Sequence, residues 1–336
     1  MCGNCHNVSF DINKDGRIEK GTDLVLQQTW DEYVIDYKSV GGRETCISCH
    51  MPVVPSLSRV VDTPGADTPV REVHDHSFHG IDYSLDDLEQ RTLTRPARTA
   101  LLRSAASIDI DRSSVRADDN QVSFAVSITN EKTGHNLPTG FAFARQMWLE
   151  VRAVDASGRL VASSGVLDSP SSDLCEAEVL DEDNPLRPFV RGCRDDVDRS
   201  LVNFQQKLVS AVEPTRDQRG NVIRDQLGQP ILQAAARARE SLIQVLPGGV
   251  VPRRRAVDGT PLGLLRPFET RSFTYSLNAT GLARRVSVRL LFRNVAPYFV
   301  RGLAAEQPQD VPGLGALVEN IEIVEMATAS VNVPGN

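Results

Sequence analysis

Apolar and polar residues change their rhythm along this chain near residue 107. Residues 1–80 show little hydrophobic periodicity and are dense in Cys, His, Gly and Asp. Such a segment lacks the apolar surface to build a core of its own. Within it, Thr22 to Tyr37 predicts a helix, with Leu24, Leu26, Trp30 and Tyr33 near one face. Ser84-Leu85-Asp86-Asp87 reads as a capping box opening a second helix, expected to break near Pro96 and to resume through Ala97–Ala106. From about Ser107 the period becomes that of strands. Gln121–Asn130, Gln146–Val154 and Leu160–Ser164 alternate or run apolar, and Asp155-Ala156-Ser157-Gly158 suits a hairpin turn. Residues 165–265 are less regular, with one helix expected around Gln233–Val245. Strand patterns return at Glu269–Leu277, Val286–Arg293 and Ile321–Val333. The expected fold class is α+β. A mostly irregular or helical N-terminal module over 1–106 precedes a sandwich-like all-β domain over 107–336, with a long insertion at about 165–265.

Charge narrows the partners. The formal net charge is −7 and no basic stripe stands out, which argues against nucleic acid. No apolar run approaches the roughly 18 residues of a membrane span.

The cysteines and histidines carry the chemistry. Four of the six cysteines form two close pairs, Cys2/Cys5 and Cys46/Cys49, each followed directly by a histidine, His6 and His50. C-x-x-C-H is the attachment pattern of c-type haem. Two thiols three positions apart reach the two vinyl groups on one porphyrin edge, and the next residue brings an imidazole to the iron. A four-cysteine zinc site is the alternative for these pairs. The remaining histidines are His74, His76, His79 and His135, three of them within Val73–Gly80. Two haems offer at most two distal positions, so the surplus predicts ligation of haems attached upstream of residue 1 or on a neighbouring subunit. Met51 and Met147 are weaker ligand candidates because imidazole is plentiful.

With these motifs on view, the chain resembles the multihaem c-type cytochromes. The resemblance rests on Cys46-Ile47-Ser48-Cys49-His50-Met51-Pro52, then His76-Ser77-Phe78-His79-Gly80, and on Gly134-His135-Asn136-Leu137-Pro138-Thr139-Gly140. It implies that His76 is a distal ligand and that His135 reaches back from the β-rich part to a haem, stapling the two parts together. The N-terminal module would then be packed around haem c. Over residues 165–336 the resemblance is loose and implies no functional residue.

Two further features stand beside the haem motifs. Asp11, Asn13, Asp15, Arg17 and Glu19 follow the opening of an EF-hand loop around Gly16, but position twelve is Thr22, followed by Asp23. A structural Ca²⁺ loop and a plain polar turn both fit. Cys175 and Cys193 have no histidine nearby and are expected to form a disulfide, as in an exported protein. The Arg-rich stretch of Arg284, Arg285, Arg289 and Arg293 is expected on an exposed face, with pairing to propionates or to a partner's carboxylates as the alternative.

Both attachment motifs end in histidine and imidazole is in surplus, which favours electron relay over catalysis. The expected partners are other redox proteins or identical subunits, with haem ligation between subunits. The alternatives are a multihaem oxidoreductase whose catalytic haem lies on another segment, and a haem-bearing structural subunit of a filament. Haem attachment takes place outside the cytoplasm, so a periplasmic or extracellular location is expected. Because Cys2 follows Met1 directly, the export signal is expected on a segment upstream of this sequence.

Overall fold

The computed structural model describes residues 2–10, 24–55, 72–180, 184, 186–193, 197–206, 208–210, 212–214, 232–234, 250–252, 263–306 and 312–334. The chain opens with a single helical turn, α1 (Cys2–Cys5), followed by strand β1 (Val8–Phe10). Strand β2 (Leu24–Gln27) pairs antiparallel with β1. The predicted helix therefore starts late. Leu24 and Leu26 repeat every second residue, a spacing that serves a strand as well as a helix, and β1 supplies the partner. Helical geometry begins at α2 (Thr29–Asp31), widens into a π-turn over Glu32–Tyr37 and tightens to 3-10 over Lys38–Val40. Gly41, at φ 89°, ends it in the left-handed conformation that glycine adopts without steric cost. Helix α3 (Cys46–His50) carries the second C-x-x-C-H, and Thr45 and Ser48 close a capping box at its start.

Helix α4 (Leu88–Ala105) is capped by Asp87, whose carboxylate accepts from the Gln90 N–H at 2.9 Å. It runs through Pro96 without the expected break. Proline removes the bond to the carbonyl of Thr92, but Thr92 and Pro96 both lie on the exposed face, where water can take that carbonyl. The opposite face is fixed by buried Arg98, which stacks over Tyr83 at 4.2 Å and pairs with Glu322 at 2.6 Å.

The helix passes directly into strand β3 (Ala106–Ala117), which with β4 (Gln121–Asn130) begins the first sheet. β5 (Gln146–Val154) and β6 (Leu160–Ser164) begin the second. The turn between them forms as its sequence predicts, with the Asp155 carboxylate accepting from the Ser157 and Arg159 N–H groups. Two short ladders lie in the insertion: β7 (Leu208–Ser210) pairs with β10 (Val250–Pro252), and β8 (Val212–Pro214) with β9 (Leu232–Ala234). The helix expected at Gln233–Val245 begins instead in β9, and its remainder lies outside the described residues. β11 (Thr270–Asn278) completes a three-stranded sheet of order β11-β4-β3, and β12 (Arg285–Arg293) and β13 (Val324–Asn332) a four-stranded sheet of order β13-β12-β5-β6. Both are antiparallel.

Alternation explains their packing. Val122, Phe124, Val126 and Ile128 of β4 share one hydrophobic cluster with Leu149 and Val151 of β5 and with Val288 and Leu290 of β12. β5 is covered on its other face too, where Trp148 packs with Leu174 and Leu291. The architecture is mixed α+β with substantial β content, as the sequence predicts. Helix α5 (Ala177–Leu180) and helix α6 (Pro297–Glu306) meet in one buried cluster through Val179, Tyr298 and Phe299. Leu26 of β2 joins Phe143, Tyr298 and Phe299 in a further buried cluster, which ties the N-terminal hairpin to α6.

The expected disulfide between Cys175 and Cys193 is formed. Arg293, expected on an exposed face, is fully buried; its guanidinium donates to Gln146 and to the carbonyls of Pro170 and Ser172. Buried acceptors replace the water given up by Nε and Nη1, while Nη2 has no hydrogen-bond partner. Arg289 pairs with Glu150 and Glu325 on its own sheet. Among the described residues, no helix is long and apolar enough to cross a membrane.

Candidate functional site

Both C-x-x-C-H motifs fold as single helical turns, so each cysteine pair shares one helix face. Cys2 and Cys46 are partly buried, and Cys5 and Cys49 exposed; all four are free thiols. The Cys46 thiol rests against that of Cys2, and burial, reinforced by this contact, raises its pKa. The two motifs thus lie side by side although 39 residues of chain separate them. The four thiols do not converge: among the described residues, no group of three or more Cys, His, Asp and Glu side chains is arranged to hold a metal ion.

Hydrogen bonds to backbone fix the imidazoles. Nδ1 of His50 meets the His79 carbonyl at 2.6 Å, that of His74 the Met51 carbonyl at 2.6 Å, that of His76 the His74 carbonyl at 2.8 Å and that of His135 the Asn136 carbonyl at 2.9 Å. A carbonyl only accepts, so each Nδ1 carries the proton and donates it, leaving the Nε2 lone pair for a metal. His79 is set the other way, its Nε2–H donating to Asp75 at 3.1 Å. The Asp75 carboxyl lies below its usual pKa, chiefly through the Ser77 N–H bond, with His79 second. His6 differs again, since its Nδ1 lies 3.0 Å from the side-chain amide nitrogen of Gln27.

Two of these rings face each other. His50 and His135 stand with centroids 6.4 Å apart and planes inclined at 30°. That is too wide for contact stacking. Two metal–imidazole bonds of about 2.0 Å each, plus roughly 1.1 Å from each nitrogen to its ring centre, place coaxial rings about 6.2 Å apart. The spacing leaves room for a metal ion between the two rings. His135 keeps some solvent-accessible surface, yet protein crowds it closely. Burial, with smaller contributions from His50, Arg145 and His6, pushes its pKa down to about 4, so the ring is neutral at ordinary pH.

His135 is held by a loop whose fastening is buried. The Asn130 amide and the Thr133 hydroxyl both donate to the His135 carbonyl, at 3.1 and 2.6 Å. Leu137 and Leu265 exchange backbone hydrogen bonds across a bridge, each at 2.8 Å. The carboxylate of Glu32, from the N-terminal π-turn, accepts from the Asn136 N–H at 3.2 Å and from the Thr139 hydroxyl. Arg145 donates to the Thr139 carbonyl and pairs with Asp82 at 2.7 Å. Burial works against its charge, and Asp82 and Glu32 offset that cost. Asn136 is fully buried, and neither polar atom of its side chain has a protein partner.

The surroundings suit a large apolar cofactor. Among the described residues of 2–55 and 72–86, only Leu26, Gln27, Glu32 and Tyr37 are buried. Trp30, Val34, Ile35, Val40, Ile47, Val53 and Phe78 are exposed over the same stretch. Trp30 lies on Gly3 so closely that a Cβ there would fall 2.6 Å from the indole, which reserves that position for glycine. Apolar side chains left exposed on a segment with so few buried residues lack a core that a porphyrin could supply.

Of the candidates from the sequence, the fold brings together Cys2 with Cys46, and His50 with His79 and His135. His74 bridges to Val53, which lays Val73–Gly80 alongside the end of α3. Met147 is sealed in the sheet core, away from any ligand role. The calcium candidates Asp11, Asn13, Asp15, Arg17, Glu19 and Asp23 lie outside the described residues. Gln27, Glu32, Asn136 and Arg145 were not singled out from the sequence. The only sequence signal for any of them is the place of Asn136 directly after His135.

No family model matches this chain, and no curated protein matches it. A solved structure, a penta-heme cytochrome c552 from Thermochromatium tepidum, is similar at 20% identity and a TM-score of 0.47, over 99% of this chain and 55% of that one. The chain thus spans about half the length of that structure.

Proposed function

We propose that this protein is a c-type cytochrome that transfers electrons, carrying two covalent haems at Cys2/Cys5 and Cys46/Cys49. The observation that carries this reading is the His50–His135 pair, one ring following an attachment motif and the other facing it at 6.4 Å, both with Nε2 free. Haem c supplies a one-electron iron couple when bound. His50 and His135 would hold its iron, and two imidazoles would leave no position there for a substrate. That is the coordination of a carrier. His6 is the proximal ligand of the group at Cys2/Cys5, and its distal ligand is drawn from His74, His76 and His79. Contact between Cys2 and Cys46 sets the two attachment points side by side, which suits passage of electrons from one group to the other.

The imidazoles left over serve haems on other segments or on neighbouring copies, so electrons pass between subunits or to redox partners. Residues 1–106 form the haem module and 107–336 the sandwich-like domain, with His135 joining them. The protein works outside the cytoplasm, where haem is attached and the Cys175–Cys193 disulfide persists.

Haem stoichiometry by pyridine haemochrome, followed by electron paramagnetic resonance, tests this reading. Two covalent haems are expected, both low-spin, with one turning high-spin in His135→Ala. Absence of covalent haem, or an unchanged spin state in the variant, contradicts it.

A further inference from the structure

Building on the haem reading, we infer that Gln27 is a positioning residue for His6 and sets the reduction potential of the group attached at Cys2 and Cys5. His50, His74, His76 and His135 each give their Nδ1 proton to a backbone carbonyl, a partner that no side-chain substitution removes. At His6 the partner is the Gln27 amide, 3.0 Å from Nδ1. Gln27 is buried at the end of β2, a strand fixed by its ladder to β1. Its amide also reaches the Thr29 hydroxyl at 3.4 Å; that hydroxyl meets Thr139 at 2.9 Å, and Thr139 donates to Glu32. A polar chain thus runs from His6 to the loop that carries His135.

The donor arithmetic defines the role. Iron at Nε2 requires the proton on Nδ1, so Gln27 must present its oxygen to His6. Amide oxygen and nitrogen exchange places by a half-turn that leaves every other atom where it is. The half-turn gives up the 3.4 Å contact to Thr29, whose one proton goes to Thr139 because Thr139 donates its own to Glu32. A neutral amide oxygen draws the Nδ1 proton only moderately. A carboxylate in its place would draw it strongly, make the imidazole a stronger electron donor and favour ferric iron. An alkyl side chain would do the reverse.

Redox titration of the holoprotein and of Q27E and Q27L, each checked for two covalent haems, tests the inference. A third variant, H135M, identifies the step belonging to the group at Cys46/Cys49, because a methionine ligand raises its potential. Q27E is expected to lower the other step by at least tenfold in its reduction equilibrium constant, about 59 mV for one electron. Q27L is expected to raise that step, and the step marked by H135M stays in place in both. If Q27L does not assemble, the sign of the Q27E shift decides. Unchanged potentials, shifts of the same sign, or movement of the marked step overturn the role of Gln27 and leave the haem reading standing. A wild-type protein without covalent haem overturns both.

Discussion

His135 shows how much a single residue depends on distant ones. Its carbonyl takes hydrogen bonds from Asn130 and Thr133, and its neighbour Asn136 is held by Glu32, 104 positions earlier in the chain. Glu32→Ala would remove a buried acceptor and leave the Asn136 N–H unsatisfied, a loss of about 1–3 kcal/mol in chemical denaturation. The account also predicts that the His135 ring loses its alignment with His50, read as a broadened low-spin resonance in that variant. Unaltered stability together with an unaltered spectrum would show that Glu32 does not hold the loop. At this scale the sequence displays candidate chemistry where spacing is short, in the two C-x-x-C-H motifs and in the histidines of Val73–Gly80. It was silent on Gln27, Glu32 and Arg145, whose partners His6, Asn136 and Asp82 lie more than 20 residues away along the chain.

Among the elements, the strands were read closely and the helices less so. β4, β5 and β6 have the bounds that their alternation predicts, because each packs one face on the shared cluster. Two helical expectations failed for separate reasons. Leu24 and Leu26 fit either period, and Pro96 does not break a helix when the carbonyl it orphans faces water. Helix α4 is held instead at Glu322, which faces Arg91, Arg95 and Arg98 together. Glu322→Ala strands the buried Arg98 guanidinium, and a loss of about 3 kcal/mol is expected in urea denaturation. A change under 1 kcal/mol would mean that Tyr83 and backbone carbonyls suffice for it. In the insertion, the Cys175–Cys193 bond closes a loop of 18 positions. The double substitution to serine is expected to cost about 3 kcal/mol of stability by loop entropy. An equal midpoint in wild type and variant would assign the local order to Asp173, which ties Arg191, Tyr298 and Arg301 together.

As a whole molecule, the protein divides its sources of order. The two sheets bury a continuous hydrophobic cluster, whereas the N-terminal part buries few of its described side chains and is joined to the rest through Leu26 and the His135 loop. If haem supplies the missing core, Cys46→Ala/Cys49→Ala should raise hydrogen exchange sharply across residues 29–50 and leave β4, β5 and β12 protected. Equal protection in both proteins would show that the module stands without its cofactor. The most direct test of the central claim is of the iron site proposed between His50 and His135. Near-infrared magnetic circular dichroism of the ferric holoprotein should show bis-imidazole coordination at two haems, with one of the two signals lost in His135→Ala. A protein without covalent haem, or one whose bis-imidazole signals survive the loss of His135, would contradict the account.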